Sequence, residues 1–230
     1  MSPISTVARG VKSILFRLYV LHHRWLHRIG VLPYSRTFGA ERGQPVGRYY
    51  VDKFLRENAH LVRGRCLEFG YARYRPLFPH AEIYQVIDVT PRPGVDIVCD
   101  IHDVSALPAA TFDAVICTQV FEHLAHPELA ARSIATLLKP GGLLLLTAPF
   151  INNVHYDPTD FRRFTPECLE MILRDAGFQV QYVSYGGNSL VGTGSLLGMV
   201  TEDFTVAEMD KKDPVYPYNV LIRAITQTLV

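Results

Sequence analysis

Four strand-like segments recur through the middle of the chain, each with polar residues or glycine close by. They are Arg65-Cys66-Leu67-Glu68-Phe69-Gly70, Tyr84-Gln85-Val86-Ile87-Asp88, Phe112-Asp113-Ala114-Val115-Ile116-Cys117 and Leu143-Leu144-Leu145-Leu146-Thr147. The first closes on an acid and a glycine, and the second closes on an acid. The third is followed by Glu122-His123-Leu124, and the fourth is introduced by Leu138-Lys139-Pro140-Gly141-Gly142. Short, nearly continuous apolar runs that alternate with helical patterns are the mark of strands buried on both faces of a parallel sheet. Such sheets bind ligands beyond the carboxyl ends of their strands. The chemistry-bearing residues therefore sit where a ligand would lie.

Extending the pattern predicts strands near 65–69, 83–87, 96–99, 112–117, 142–148 and 178–184, with Tyr218–Ile225 as a last, antiparallel strand. Helices are expected over 48–61, over 127–138, and from Pro166 to a stop at Gly177. Thr165 is a suitable N-cap, and proline fits the first helical position. In the first of these helices the pair Tyr49-Tyr50 either packs under the sheet or leans over the site. The fold class is α/β: a Rossmann-like, doubly wound, mostly parallel seven-stranded sheet with an N-terminal helical extension. Two regions are expected, a basic amphipathic extension over 1–40 and the sheet domain over 41–230. The glycine-rich stretch 39–47 reads as a linker or loop between them. Residues 188–230 are the least readable part of the chain, with Tyr218–Ile225 the one strand-like run in it.

In the extension, Ile4, Val7, Val11, Leu15, Leu18, Leu21, Trp25 and Ile29 recur every three or four residues. Arg9, Lys12, Arg17, Arg24 and Arg28 fall mostly on the opposite face, and the segment contains no acid before residue 41. Such a helix either packs on the domain or a second copy of the chain, or rests on an anionic membrane surface. Basic residues along its whole length argue against a cleavable signal peptide. The run Leu143–Ile151 is too short to span a bilayer. A cytoplasmic location is expected, with membrane association through this helix as the alternative.

Composition narrows the functional classes. A net charge of +1 over 230 residues argues against a dedicated nucleic-acid binder. The four cysteines, Cys66, Cys99, Cys117 and Cys168, have no metal-ligand spacing and read as reduced thiols. His123 and His126 lack an evident third ligand, so no metal site is expected.

From Gly64 to Gly187 the ordered series resembles the class I S-adenosylmethionine-dependent methyltransferases, and within them the methyltransferase type 11 group. That group carries a His-x-x-Pro-x-Asp-x-x-Arg-Phe-Thr stretch after the strand introduced by Lys-Pro-Gly-Gly. The present chain reads His155-Tyr156-Asp157-Pro158-Thr159-Asp160-Phe161-Arg162-Arg163-Phe164-Thr165 and matches every fixed position. It departs in the first loop. Where the family has Glu/Asp-x-Gly-x-Gly-x-Gly, this chain has Glu68-Phe69-Gly70-Tyr71-Ala72-Arg73, keeping only Gly70 of the glycines that permit close backbone approach.

The resemblance implies S-adenosylmethionine as cofactor and a division of labour among the strand ends. Glu68, Gly70 and Tyr71 would face its charged centre, directly or through water. Asp88, twenty residues beyond Glu68, would accept hydrogen bonds from the ribose hydroxyls. Asp100 and Ile101 would flank the adenine, and Thr118 and Gln119 would line the methionine part. Beyond the fifth strand, His155 is the candidate base for a hydroxyl nucleophile, with Asp160 and His123 as further candidate catalytic residues. An ion pair between Asp160 and Arg163 that merely orders the loop is the competing reading. The expected reaction is methyl transfer to a small-molecule acceptor, most simply a hydroxyl oxygen of a sugar, a lipid-linked intermediate or a secondary metabolite. A non-catalytic scaffold that kept the fold is the alternative, motivated by the glycine-poor loop.

Overall fold

Strand segments that are apolar at consecutive positions can satisfy both faces only by being covered on both, and the chain folds accordingly. The computed structural model describes residues 33–227 and, upstream, Leu15 and Leu18. In chain order the regular elements are α1 (Val46–Asn58), β1 (Gly64–Phe69), β2 (Ala81–Asp88), β3 (Ile97–Val98), β4 (Phe112–Thr118), α2 (Pro127–Leu137), β5 (Leu138–Pro149), α3 (Pro166–Asp175), β6 (Phe178–Gly186), α4 (Ser189–Leu196), α5 (Val206–Asp210) and β7 (Asn219–Thr226). They form a seven-stranded sheet in the order β3-β2-β1-β4-β5-β7-β6. β1 to β5 run parallel, and β7 is inserted antiparallel between β5 and β6. The expected sheet, including its antiparallel last strand, is the one observed.

The period of two along each strand divides the core. Leu67, Val115, Leu144 and Leu146 point to the face covered by Ile134 of α2 and Leu173 of α3. Cys66, Ile116 and Leu145 point to the face covered by Val51, Phe54 and Leu55 of α1. Strand order reverses between β1 and β4, so the carboxyl ends of β1, β2, β4 and β5 open a crevice on one edge.

Local signals set the ends of these elements. The Thr165 hydroxyl accepts the Cys168 amide at 3.2 Å, and Pro166 opens α3. Gly177, at φ 89°, closes it. β5 begins four residues earlier than expected, inside Leu138-Lys139-Pro140-Gly141-Gly142. Gly141, at φ 75°, lets the register with β4 jump from Phe112–Leu138 to Ala114–Leu143. The unpatterned stretch 188–217 contains two short helices held by side-chain caps: Asn188 accepts from Val191, and Thr205 and Glu208 form a reciprocal capping box. Tyr50 of α1 is buried and donates its hydroxyl to the Met209 carbonyl at 2.9 Å, so it packs rather than facing the site.

The helix expected over residues 1–40 lies, for its greater part, outside the described residues. The stretch that follows is held down along its length. Tyr34 N–H donates to the Leu197 carbonyl at 2.7 Å, Thr201 N–H donates to Gln44 at 2.9 Å, and Pro45 forms an isolated bridge with Val200. Residues 34–45 are therefore a strap across 197–203. Among the described residues no helix is long and apolar enough to cross a membrane.

Candidate active site

The crevice has two halves. On the β1–β2 side, Gly70 has φ 99°, and apart from its chain neighbours no heavy atom lies within 4 Å of where a Cβ would stand. β1 is thus followed at once by a backbone conformation that favours glycine, opening onto free space. Glu68, 1% exposed, turns inward. It accepts the Tyr84 hydroxyl at 2.7 Å and the amides of Arg73 and Tyr74 at 3.3 and 3.4 Å, which folds the short loop back onto the strand. Burial pushes its carboxyl up to about 7, against the pull of those donors.

Asp88 closes β2. Its Oδ1 accepts the Thr90 amide at 2.7 Å, and its Oδ2 takes the Arg92 guanidinium. Tyr71, 66% exposed, lays its ring on that guanidinium, 4.0 Å from ring centroid to Cζ. The loops after β1 and β2 approach again at Ala72 and Gly94. Neither Arg92 nor Tyr84 was among the residues expected at the site. The Asp88–Thr90 turn that brings Arg92 back is legible in hindsight as Asp-x-Thr-Pro; Tyr84 gave no signal. After β3, Asp100 accepts the His102 amide at 2.9 Å and meets its Nδ1 at 2.7 Å, while Ile101 is buried in the core.

On the β4–β5 side, Thr118 pairs with Thr147 across the sheet. Gln119 follows at φ 54°, its N–H on the Thr147 carbonyl at 2.9 Å and its amide Nε2 donating to the Thr147 hydroxyl at 3.1 Å. A left-handed conformation costs a non-glycine residue roughly 1 kcal/mol, and such strain gathers at functional sites. Phe121–His123 then forms a single 3₁₀ turn ahead of α2. His123 donates Nδ1–H to the Thr159 carbonyl at 3.0 Å; a carbonyl only accepts, so the tautomer is fixed. His155 meets His123 edge-to-face, ring centroids 5.1 Å apart at 82°. Burial, reinforced by the neighbouring His123, holds the His155 imidazole below its ordinary value, so it is neutral at pH 7.

Around the imidazoles the loop is tightly bound. Asp160 accepts both the His155 amide at 3.0 Å and two nitrogens of Arg163, at 2.5 and 2.6 Å, and Arg163 also reaches the Asn153 carbonyl. The Asp160 side chain is 3% exposed, so this ion pair orders the loop. Glu122, 1% exposed, ties the 3₁₀ turn to the same loop through its backbone carbonyl, which accepts the Phe161 amide at 2.8 Å. Its carboxyl has an unpartnered Oε2, and burial pushes it up to about 8. No cluster of histidine, cysteine and acid residues among those described could hold a metal.

Comparison with known proteins identifies this arrangement. The methyltransferase domain model matches residues 44–183, well over half the chain. The chain belongs to the methyltransferase family. Ubiquinone biosynthesis O-methyltransferase of Xanthomonas axonopodis is 45% identical over 47 residues, 20% of either chain, so the present chain matches a fifth of that relative's length. Among solved structures, N-methyltransferase NodS of Bradyrhizobium japonicum, in complex with S-adenosylhomocysteine, superposes with a TM-score of 0.50 at 18% identity over 80% of this chain and 89% of that one. The cyclase SpnF does so with 0.54 at 20% identity over 87% and 88%. These structural likenesses are of fold.

The methyltransferase crevice fits S-adenosylmethionine. Gly70 supplies the space beside β1. Asp88 uses one lone pair on each oxygen for Thr90 and Arg92, and a carboxylate offers about four, so acceptors remain for ribose hydroxyls. The strained Gln119 backbone marks the opposite wall. Glu68, by contrast, spends its carboxylate on the loop.

Proposed function

We propose that this methyltransferase methylates a hydroxyl oxygen of a small-molecule acceptor, with His155 as general base. The observation that carries this reading is the pair of imidazoles, His123 and His155, 5.1 Å apart beyond the strands that bound the methionine end of the crevice. A hydroxyl is a poor nucleophile and needs its proton taken as it attacks; an amine or thiolate does not. Of the two imidazoles, His123 is tied through Nδ1 to the Thr159 carbonyl, whereas the His155 ring has no hydrogen-bond partner among the described residues and is held towards its neutral form by burial. The O-methyltransferase name of the Xanthomonas relative points the same way. Val154, Tyr156 and Phe161, all more than half exposed on the loop carrying His155, favour an acceptor with an apolar body.

Bound S-adenosylmethionine supplies a methyl group already activated by its sulfonium. The protein's work is then to position. Asp88 and the Gly70 backbone hold the adenosine, while Thr118 and Gln119 line the methionine end. The Asp160–Arg163 pair holds the His155 backbone so that its imidazole faces the incoming hydroxyl. The His155 imidazole would take the hydroxyl proton, and pass it to water, as the oxygen gains the methyl that the sulfonium gives up, with neutral S-adenosylhomocysteine as the leaving group.

The test has two stages. Calorimetric titration of the full chain with S-adenosylhomocysteine is expected to give a micromolar dissociation constant, about −8 kcal/mol. Radiolabelled methyl transfer is then followed against a panel of phenolic and alkyl hydroxyl acceptors. His155→Ala is expected to keep cofactor affinity and lower transfer by about 100-fold or more. Transfer at the unmutated rate would remove His155 from the mechanism. Absence of cofactor binding in a folded protein would favour the scaffold reading.

A further inference from the structure

An imidazole that acts as a base is ordinarily oriented by a hydrogen bond to its second nitrogen. Among the described residues nothing hydrogen-bonds the His155 ring. What fixes it instead are two aromatic contacts: the edge-to-face contact with His123, and a stack against Phe38, centroids 4.6 Å apart with planes 26° from parallel. Phe38 comes from the strap, over a hundred residues away in sequence. It sits at φ 58°, a conformation that costs a bulky residue roughly 1 kcal/mol or more. The strap over-determines it on both sides. Buried Ser35 accepts the amides of Thr37 and Gly39 at 3.1 and 3.0 Å. Gly39, at φ 75°, lies so close to 198–200 that a Cβ there would meet the Val200 side chain at 2.4 Å and the Gly198 carbonyl at 2.9 Å. Arg42 reaches the same Gly198 carbonyl at 3.2 Å.

We propose that Phe38 is the positioning residue for His155: the strap is strained so as to lay this ring on the imidazole, set its plane and shield one face from water. The inference deepens the assignment of His155 as base and rests on it. The groups facing the imidazole are His123 from the 3₁₀ turn, Asp160 and Arg163 from its own loop, and the uncharged Phe38. Shielding is the largest cause of the lowered His155 pKa, ahead of His123. Removing the ring exposes the imidazole and lets its pKa rise.

The experiment follows His155 itself and needs no acceptor. Its imidazole is titrated by nuclear magnetic resonance, assigned through His155→Asn, and its carbethoxylation by diethyl pyrocarbonate is timed by mass spectrometry. Phe38→Gly suits the positive φ and so keeps the strap while deleting the ring; Phe38→Tyr keeps the stack. Phe38→Gly is expected to move the His155 midpoint up by about half a pH unit or more and to speed carbethoxylation several-fold, with Phe38→Tyr close to the unmutated protein. In the unmutated chain a nuclear Overhauser contact should join the Phe38 ring to the imidazole. Unchanged titration and carbethoxylation in Phe38→Gly, an equal shift in Phe38→Tyr, or absence of the Overhauser contact would each overturn the proposal. Failure of the unmutated protein to bind S-adenosylhomocysteine would instead count against the methyl-transfer reading, and leaves these measurements interpretable.

Discussion

The two halves of the crevice handle their polar groups in opposite ways. On the β1–β2 side both site carboxylates have partners: Glu68 a hydroxyl and two amides, Asp88 an amide and a guanidinium with acceptor capacity left over, and the guanidinium is capped by Tyr71. On the β4–β5 side the backbone is tightly bound, yet the His155 ring is held by aromatic contacts alone and Glu122 keeps an unpartnered Oε2. Satisfied groups make a rigid recognition surface. A ring with free nitrogens makes a reactive one. The cofactor end is built to be matched, and the acceptor end is built to exchange a proton.

If this contrast is right, the largest effect belongs to Asp88. Asp88→Ala removes the acceptors for the ribose and strands Arg92 without its partner. Affinity for S-adenosylhomocysteine is expected to fall about 100-fold or more, since unpaired polar groups on both sides cost about 1–3 kcal/mol each. Calorimetry measures this, with a thermal melt to show the fold intact. Unchanged affinity would mean that the adenosine lies elsewhere.

Next come the two buried glutamates. Both ionise near 4.5 in the unfolded chain and are held up in the fold, Glu68 to about 7 and Glu122 to about 8. The unfolded state therefore gives up protons first as pH rises. The stability contributed by the protonated forms is complete below pH 4.5, declines above it, and is gone once pH passes 7 for Glu68 and 8 for Glu122. Glu122→Gln keeps the shape without the charge. It is expected to match the unmutated protein at pH 4.5 and to exceed it by on the order of 2–3 kcal/mol at pH 8.5. Glu68→Gln should gain less, because it gives up part of its hydrogen bonding to Tyr84, Arg73 and Tyr74. Denaturant unfolding at the two pH values separates them. An equal gain from both would erase the contrast between the satisfied and the unsatisfied carboxyl.

How much of this could be read beforehand depended on range. The sheet was legible because its strands are buried on both faces, so apolar runs such as Leu143–Leu146 announce themselves. The antiparallel β7 was foreseen as well. Thr165, Pro166 and Gly177 marked α3 from adjacent residues alone. Positions that depend on where a side chain turns were not legible. Glu68 sits at the expected strand end, but Tyr84, one strand away, draws it inward. Ile101 lies in the expected loop, yet its side chain joins the core. In sequence, residues 39–47 read as a linker or loop because their glycines look permissive, and Phe38 falls within the expected helical extension; contact with 197–203, distant in sequence, is what makes Gly39 obligatory and puts Phe38 over His155.

The smallest effect is the most discriminating for the cofactor end. Arg92 is 29% exposed and Asp88 11%, so their pair is partly solvated and worth about 1 kcal/mol or less. It is nevertheless the only occupant of Asp88 Oδ2 among the described residues. If Arg92 competes with the ribose for that oxygen, Arg92→Ala frees the carboxylate, and affinity for S-adenosylhomocysteine should rise by about 3-fold. The unmutated protein should then bind more tightly as salt screens the pair, and the variant should not respond. If instead Arg92 holds the carboxylate in the right plane, the same variant loses affinity and salt weakens the unmutated protein. The sign of the change therefore tells whether the satisfied half of the crevice is preorganised for its ligand or closed against it. The Tyr71 ring bears on the same question: in the competing case Tyr71→Ala loosens the cap on Arg92 and should move affinity in the direction of Arg92→Ala, by less.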